Sequence, residues 1–232
     1  MQAVILAGGF GERMRPLTQA LPKPMLPVGE KPFLEYILER LKEYGITHIV
    51  LCVGYRWQKI QKYFRDGRQW GMRIQYSVEE TPLGTGGAIK HAASLLEEEF
   101  IVVNGDTYLE IDYHDFLAFY KKVKHPVIAL TEVEHAERYG IVEHDNRHRI
   151  ISFTEKGKGE GKHWINGGVY LFQKKVLASI PKGKVSVERE VFPVLAKKGL
   201  LSAYLCKGLF VDMGTPESYE RAKKLFAKSV RT

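Results

Sequence analysis

Four short strand-like runs punctuate the first half of the chain: Gln2–Leu6 (QAVIL), His48–Val53 (HIVLCV), Arg73–Val78 (RIQYSV) and Phe100–Asn104 (FIVVN). The segments between them read as helices. Phe33–Tyr44 carries Phe33, Leu34, Ile37, Leu38 and Leu41 on one helical face and is stopped by Gly45, and helices are also expected at Gln58–Phe64 and Gly86–Leu96. The β-α-β-α-β-α-β order predicts an α/β fold with a mostly parallel sheet covered by helices on both faces. From Pro126 onward the runs VIALTEV, GIVEH, RIISFTE and WINGGVYLF predict further strands in a more mixed arrangement, with helices at Val187–Lys198 and Glu217–Ala227. Gly157–Lys162 (GKGEGK) reads as a short flexible stretch, either a lid or a plain solvent loop.

The 232 residues are 44% hydrophobic, enough for a substantial core in one large domain or two small ones. No apolar run approaches the roughly 18 residues of a membrane span, and the N-terminus lacks a secretory layout. Cys52 and Cys206 each stand in an apolar stretch and are expected to be reduced core thiols of a cytoplasmic protein. The formal net charge of +8 suits an anionic partner. Lysines and arginines are interleaved with glutamates and form no basic stripe, which argues against a nucleic-acid binder. The histidines show no metal-ligand spacing and are expected to be structural or exposed.

The first strand runs into "LAGGFGERMRPLTQALPKPM", Leu6 to Met25. This is not a dinucleotide fingerprint, because Met14 stands where the last glycine of G-x-G-x-x-G would fall, and no P-loop pattern occurs anywhere in the chain. The ingredients of phosphate binding are nevertheless present. Gly8, Gly9 and Gly11 allow a tight turn with N–H groups facing a ligand. Arg13 offers a bidentate guanidinium, and Pro22 and Pro24 restrain Lys23.

With "PLGTGGAI" (82–89), "VNGDTY" (103–108), "RYGIV" (138–142), "FTEK" (153–156), "INGGVYLF" (165–172) and "VDMGTPESY" (211–219), this stretch resembles the signature of the sugar-phosphate nucleotidyltransferases. The resemblance covers nearly the whole chain and is nearest to the heptose 1-phosphate guanylyltransferase branch, with mannose-1-phosphate guanylyltransferases close behind. It implies a three-layer, Rossmann-like nucleotide-diphospho-sugar transferase fold. One nucleotidyltransferase domain is expected over residues 1–228, with a nucleotide-binding half (1–110), a sugar-phosphate half (111–228) and no appended C-terminal β-helix. The reaction implied joins a nucleoside triphosphate to a sugar 1-phosphate and releases pyrophosphate, with Mg²⁺ as cofactor.

The resemblance also implies roles. Arg13 would hold the triphosphate and Lys23 would sit near the reacting phosphates, with Leu6, Ala7, Gly8, Gly9 and Gly11 forming the nucleotide turn. Asp106 and Asp212, both following apolar runs, would be the metal ligands. Asp112 and Asp115 lack that context and are expected on the surface or as helix caps. Lys156 would meet the sugar phosphate. Glu155 and Asn166 would accept or donate to sugar hydroxyls, and Gly140 and Gly168 would admit close backbone approach. For the nucleobase, Glu79 or Glu80 would accept guanine N1–H and N2–H, whereas a uracil or thymine edge better suits a glutamine amide. Glu80 is favoured as the nearer to the P-L-G-T-G-G turn. Backbone around Gly84, Thr85 and Gly86 is the alternative reader, which leaves uridylyl, thymidylyl and cytidylyl chemistry open. A non-catalytic nucleotide-sugar-binding module would be expected to have lost one of the charged residues. A glycosyltransferase would show D-x-D, and Tyr108 stands two residues after Asp106.

Overall fold

The computed structural model of the chain describes residues 1–136, 138–154 and 161–229. In chain order the elements are β1 (Gln2–Ala7), the two-residue strands β2 (Pro27–Val28) and β3 (Lys31–Pro32), α1 (Phe33–Glu43), β4 (His48–Val53), α2 (Trp57–Phe64), β5 (Arg73–Val78), α3 (Gly84–His91), β6 (Glu99–Asn104) and β7 (Thr107–Leu109). They continue with α4 (Tyr113–Val123), β8 (Val127–Val133), β9 (Ile141–His144), β10 (Ile150–Thr154), β11 (His163–Gln173), α5 (Phe192–Lys197), β12 (Ser202–Cys206), β13 (Phe210–Asp212) and α6 (Pro216–Ser229).

Strands β5, β4, β1 and β6 lie side by side and run parallel. The eleven-residue β11 then pairs antiparallel with β6, and β8 antiparallel with β11. β12 runs parallel to β8, and β9 and β10 extend the sheet from the first half of β11. The sheet is therefore mixed with a parallel centre, as the strand-helix alternation predicts. Both halves of the sequence contribute to it.

Side chains alternate cleanly across the sheet. Ala3, Ile5 and Ala7 of β1, with Ile49, Leu51 and Val53 of β4, face a core closed by α1, α2, α4 and α6. Val4, Val50 and Cys52 face the other core, closed by α3, α5 and the 174–179 turn. The helical face expected for α1 is fully used: Phe33, Leu34, Ile37, Leu38 and Leu41 are all at most 3% exposed, and burying each side chain stabilises the fold by roughly 1.5–3 kcal/mol. Both cysteines are free and buried. Burial, with a smaller contribution from Glu79, pushes the Cys52 thiol up to about 12, so this sulfur is an inert packing group.

The differences from the expected elements have local causes. The helix expected at Gly86–Leu96 starts at Gly84 and gives way to a tighter turn over Ala92–Leu95. The one expected at Val187–Lys198 opens with a wide π-helical turn over Val187–Val191 before α5. β7, α4 and β12 have no counterpart among the expected elements, whereas β13 is the apolar run expected just ahead of Asp212. Asp112 is the N-cap of α4, its carboxylate accepting from the N–H groups of His114 and Asp115, and Asp115 accepts from Tyr204 Oη at 2.8 Å.

Candidate active site

The site lies where the chain changes direction in the sheet. From β1 the connections run outward to β4 and β5, and then return to β6 on the other flank of β1. Crevices at the C-terminal ends of such strands are where open α/β sheets place ligands. Leu6 and Asn104 stand in register there, and Gly105 N–H donates to Leu6 O at 2.9 Å. The turn that follows β1 (Gly8, Gly9, Gly11) and the turn carrying Asp106 are thereby neighbours. Gly11 has φ +63°, a conformation that favours glycine.

Lys23 is placed by one helical turn, Lys23–Met25, closed by Met25 N–H on Pro22 O and Leu26 N–H on Lys23 O. The residue is only 7% exposed, and its ammonium donates to Asp106 Oδ2 at 2.6 Å. Thr107 Oγ1 donates to the other Asp106 oxygen at 3.3 Å. Burial opposes ionisation of Asp106. The charge and hydrogen bond of Lys23, helped by Thr107 and Arg13, outweigh it and hold the carboxyl below its usual range.

Asp212 reaches the same place from 106 positions further along. β13 pairs antiparallel with β7, setting Asp212 opposite Thr107, and Met213 N–H donates to Asp106 O at 3.0 Å. Asp212 Oδ1 accepts from Gly214 N–H at 2.6 Å, and Oδ2 accepts from Tyr139 Oη at 2.6 Å and Arg138 Nη2 at 3.3 Å. Asp212, the last residue of β13, and Asp106, in the turn just before β7, thus meet at one end of the ribbon.

A cavity of about 750 Å³ opens over this ribbon. Of the residues singled out from the sequence, Arg13, Asp106, Gly140, Asn166 and Asp212 line it. Asn166 is oriented by Gly168, whose N–H donates to Asn166 Oδ1 at 2.8 Å, and by Tyr170 Oη, which accepts from Asn166 Nδ2 at 2.9 Å. Lys23 lies beneath the lining, behind Asp106. Glu155, Lys156 and residues 157–160 of the GKGEGK stretch lie outside the described residues.

Glu79 and Glu80, treated as near-equivalents in the sequence, are not equivalent in space. Glu80 is exposed. The Glu79 carboxylate turns inward against Gly8 and Gly54, leaving no room for a Cβ on Gly8. Its Oε2 accepts from Leu83 N–H at 3.1 Å. Burial raises its pKa, with the Leu83 N–H and His91 offsetting part of the shift. Of the two carboxylates it is that of Glu79, not that of Glu80, that sits against the Gly8 turn.

Gly84, Thr85 and Gly86, the alternative readers of the nucleobase, pack against residues 185–188. The Gly86 and Gly87 N–H groups both donate to Val185 O. Gly84, at φ +70°, sits so close to Val185 that a Cβ would strike its carbonyl. Thr85 Oγ1 donates to Glu188 and accepts from Val187 N–H. The Gly86 and Gly87 N–H groups and the Thr85 hydroxyl are thus engaged by the 185–188 segment.

Sequence reasoning missed Arg138, Tyr139, Asn104 and Glu188, all of which line the cavity. Arg138 and Tyr139 stood in the quoted R-Y-G run, where only the glycine was given a role. Glu188 has no signal beyond its place in a helix start, since what brings it inward is the wide turn.

The fold and cleft correspond to a defined class. The chain matches the nucleotidyl transferase family over residues 2–229 and belongs to it. It is a sugar-1-phosphate nucleotidyltransferase. Among characterised relatives it is 39% identical to the D-glycero-α-D-manno-heptose 1-phosphate guanylyltransferase of Campylobacter jejuni, over 94% of this chain and 97% of that protein. It is also 39% identical to the mannose-1-phosphate guanylyltransferase of Mycobacterium tuberculosis, over 95% of this chain but 63% of that longer protein. Among solved structures, HddC from Yersinia pseudotuberculosis, complexed with GMP-PN, superposes with a TM-score of 0.86 at 36% identity, covering 97% of this chain and 99% of that one.

Proposed function

We propose that the chain transfers a guanylyl group from GTP to D-glycero-D-manno-heptose 1-phosphate, giving the GDP-sugar and pyrophosphate. The observation that carries the proposal is the convergence of Arg13, Lys23, Asp106 and Asp212, from separate segments, at the C-terminal ends of β1 and β6. The names of the full-length relatives supply the sugar and the base. A mannose 1-phosphate acceptor is the second reading, favoured by the equal identity to the mycobacterial enzyme.

In this reading an oxygen of the sugar phosphate attacks the α-phosphorus of GTP in line. The bond from that phosphorus to the β-bridging oxygen breaks, and pyrophosphate leaves with the electron pair. Positioning and charge neutralisation do most of the work. The Gly8–Gly11 turn and Arg13 hold the triphosphate, and Lys23 steadies Asp106 while lending positive charge beside the reacting phosphates. Lys156 would neutralise the sugar phosphate, and Asn166, with one amide N–H and one oxygen lone pair left over, would meet a sugar hydroxyl. Glu79, rather than Glu80, would accept the guanine N1–H and N2–H edge.

A magnesium ion suits this donor set. Two carboxylates at one end of the β7–β13 ribbon supply hard oxygens, and the cleft has room for phosphate oxygens and water to complete an octahedron. Among the described residues no cluster of three or more His, Cys, Asp or Glu side chains forms a competing metal site. When bound, the ion would neutralise phosphate charge and polarise the α-phosphoryl group.

The test is a matrix of five nucleoside triphosphates against heptose, mannose, glucose and N-acetylmuramate 1-phosphates, scored by pyrophosphate release. GTP with heptose 1-phosphate should lead. A faster reaction with UTP or dTTP would overturn the guanylyl assignment, and no release from any pair would overturn the enzyme reading.

A further inference from the structure

Glu188 occupies an unusual position. It stands in the π-helical turn Val187–Val191, whose extra residue per turn rotates its side chain inward. There it lines the cavity together with Asn104, Asn166 and Ser186. Its partners among the described residues are all hydroxyls. Oε2 accepts from Thr85 Oγ1 at 2.6 Å and from Ser186 Oγ at 2.8 Å, while Oε1 accepts only from Tyr170 Oη, at 3.3 Å.

The donors are themselves oriented. Thr85 Oγ1 accepts from Val187 N–H at 2.8 Å, so its proton is directed at Glu188. Tyr170 is fully buried and its oxygen accepts from Asn166 Nδ2 at 2.9 Å and Asn104 Nδ2 at 3.3 Å, which leaves its single proton for Oε1. Asn104 Oδ1, in the same group, is buried without a partner among the described residues. A carboxylate carries about four acceptor positions. Two on Oε2 are filled, and Oε1 has one long bond and one vacancy at the cavity wall. A half-buried carboxylate that pairs with no cation among the described residues and keeps an acceptor position free is poorly explained as a packing group.

We propose that Glu188 is a specificity-determining residue that accepts a hydrogen bond from a sugar hydroxyl of the acceptor, with Asn166 beside it on the same wall. The ligand group must be a neutral O–H donor. Phosphate oxygens would be repelled by the carboxylate. Thr85, Ser186 and Tyr170 then act as positioning residues that hold the carboxylate at one orientation. This inference rests on the sugar-phosphate acceptor reading given above.

The experiment compares wild type with Glu188→Gln across a series of monodeoxy sugar 1-phosphates, with GTP binding followed by calorimetry and folding by thermal unfolding. For wild type, one deoxy analogue should lose about ten- to hundred-fold in kcat/KM, the effect of one hydrogen bond to a charged acceptor. Glu188→Gln should lose a similar factor on the full sugar, be nearly indifferent to that one deoxygenation, and bind GTP within about two-fold of wild type. Equal loss on every analogue, an equal loss of GTP affinity, or no loss would each overturn the proposal. Should Glu188→Gln fail to fold, Glu188→Asp takes its place. Failure of both to fold would assign the residue a purely structural role and overturn the proposal as well. A wild-type enzyme inactive on every sugar 1-phosphate would instead be a failure of the acceptor reading itself.

Discussion

Replacing Lys23 by methionine keeps the buried stem and removes the charge that Asp106 leans on. At 2.6 Å and an effective dielectric of 20 the bare attraction is about 6 kcal/mol. Two terms reduce it. The Lys23 side chain is 9% exposed, so its ammonium has lost most of its hydration. Asp106 is 41% exposed, so water screens the pair from that side. A coupling of about 1–2 kcal/mol remains, near the lower end of charge-assisted hydrogen bonds. The single variants should be unequal. Asp106→Asn strands a nearly buried ammonium and should cost about 2–4 kcal/mol, whereas Lys23→Met leaves a carboxylate that water can still reach and should cost less. The assay is urea unfolding of wild type, both single variants and the double variant, repeated from pH 7 down to pH 3. The folded-state pKa of Asp106 is depressed, so the pair's contribution is complete above the unfolded carboxylate value of about 3.9 and is lost as pH falls through the folded value. The coupling should therefore shrink below about pH 4. A coupling under about 0.5 kcal/mol, or one that stays flat across that range, would refute the reasoning.

Two further outcomes follow from the site. Glu79 has a raised pKa, so its stabilising contribution is full at low pH and fades as pH rises through the folded value. Glu79→Gln should raise the melting temperature at pH 8 relative to wild type while eroding the preference for GTP over ITP about ten-fold, and a lowered melting temperature would contradict the assignment. Tyr139→Phe removes a 2.6 Å bond to Asp212 and should weaken Mn²⁺ binding, read by electron paramagnetic resonance without substrates, by about ten-fold. Asp212→Asn should weaken it further, and normal Mn²⁺ affinity in both would remove Asp212 from the metal site.

The fold was largely legible because its signals are local. The continuous apolar runs of β1, β4 and β6 and the apolar stripe of α1 are each decided within a dozen residues. β7 escaped notice because a three-residue strand has too few positions to show a period. α5 was read with the wrong start because a π-turn and an α-turn share nearly the same sequence pattern. At the site, Asp106 and Asp212 were found through their glycine-bearing contexts. Choosing between Glu79 and Glu80 needs the direction of one side chain, and adjacent strand-end residues point to opposite sides. Glu188 was invisible for a related reason: its inward rotation depends on Thr85 and Tyr170, 103 and 18 positions away.

The β7–β13 ribbon has a consequence for how the protein is made. Asp106 leaves the ribosome with its strand partner still unsynthesised, and that partner arrives more than a hundred residues later with Phe210–Asp212. At about 5–20 residues per second the nascent chain spends several seconds or more with β1, β4, β5 and β6 available to pair and the two carboxylates apart. α6 then closes over the first half, with Tyr219 Oη donating to Pro27 O at 2.6 Å and Phe226 packed against Phe33 and Tyr36. The two aspartates are thus brought together only after β13 has been made, so a chain stalled before Phe210 can form the Gly8–Gly11 turn but cannot set Asp212 beside Asp106.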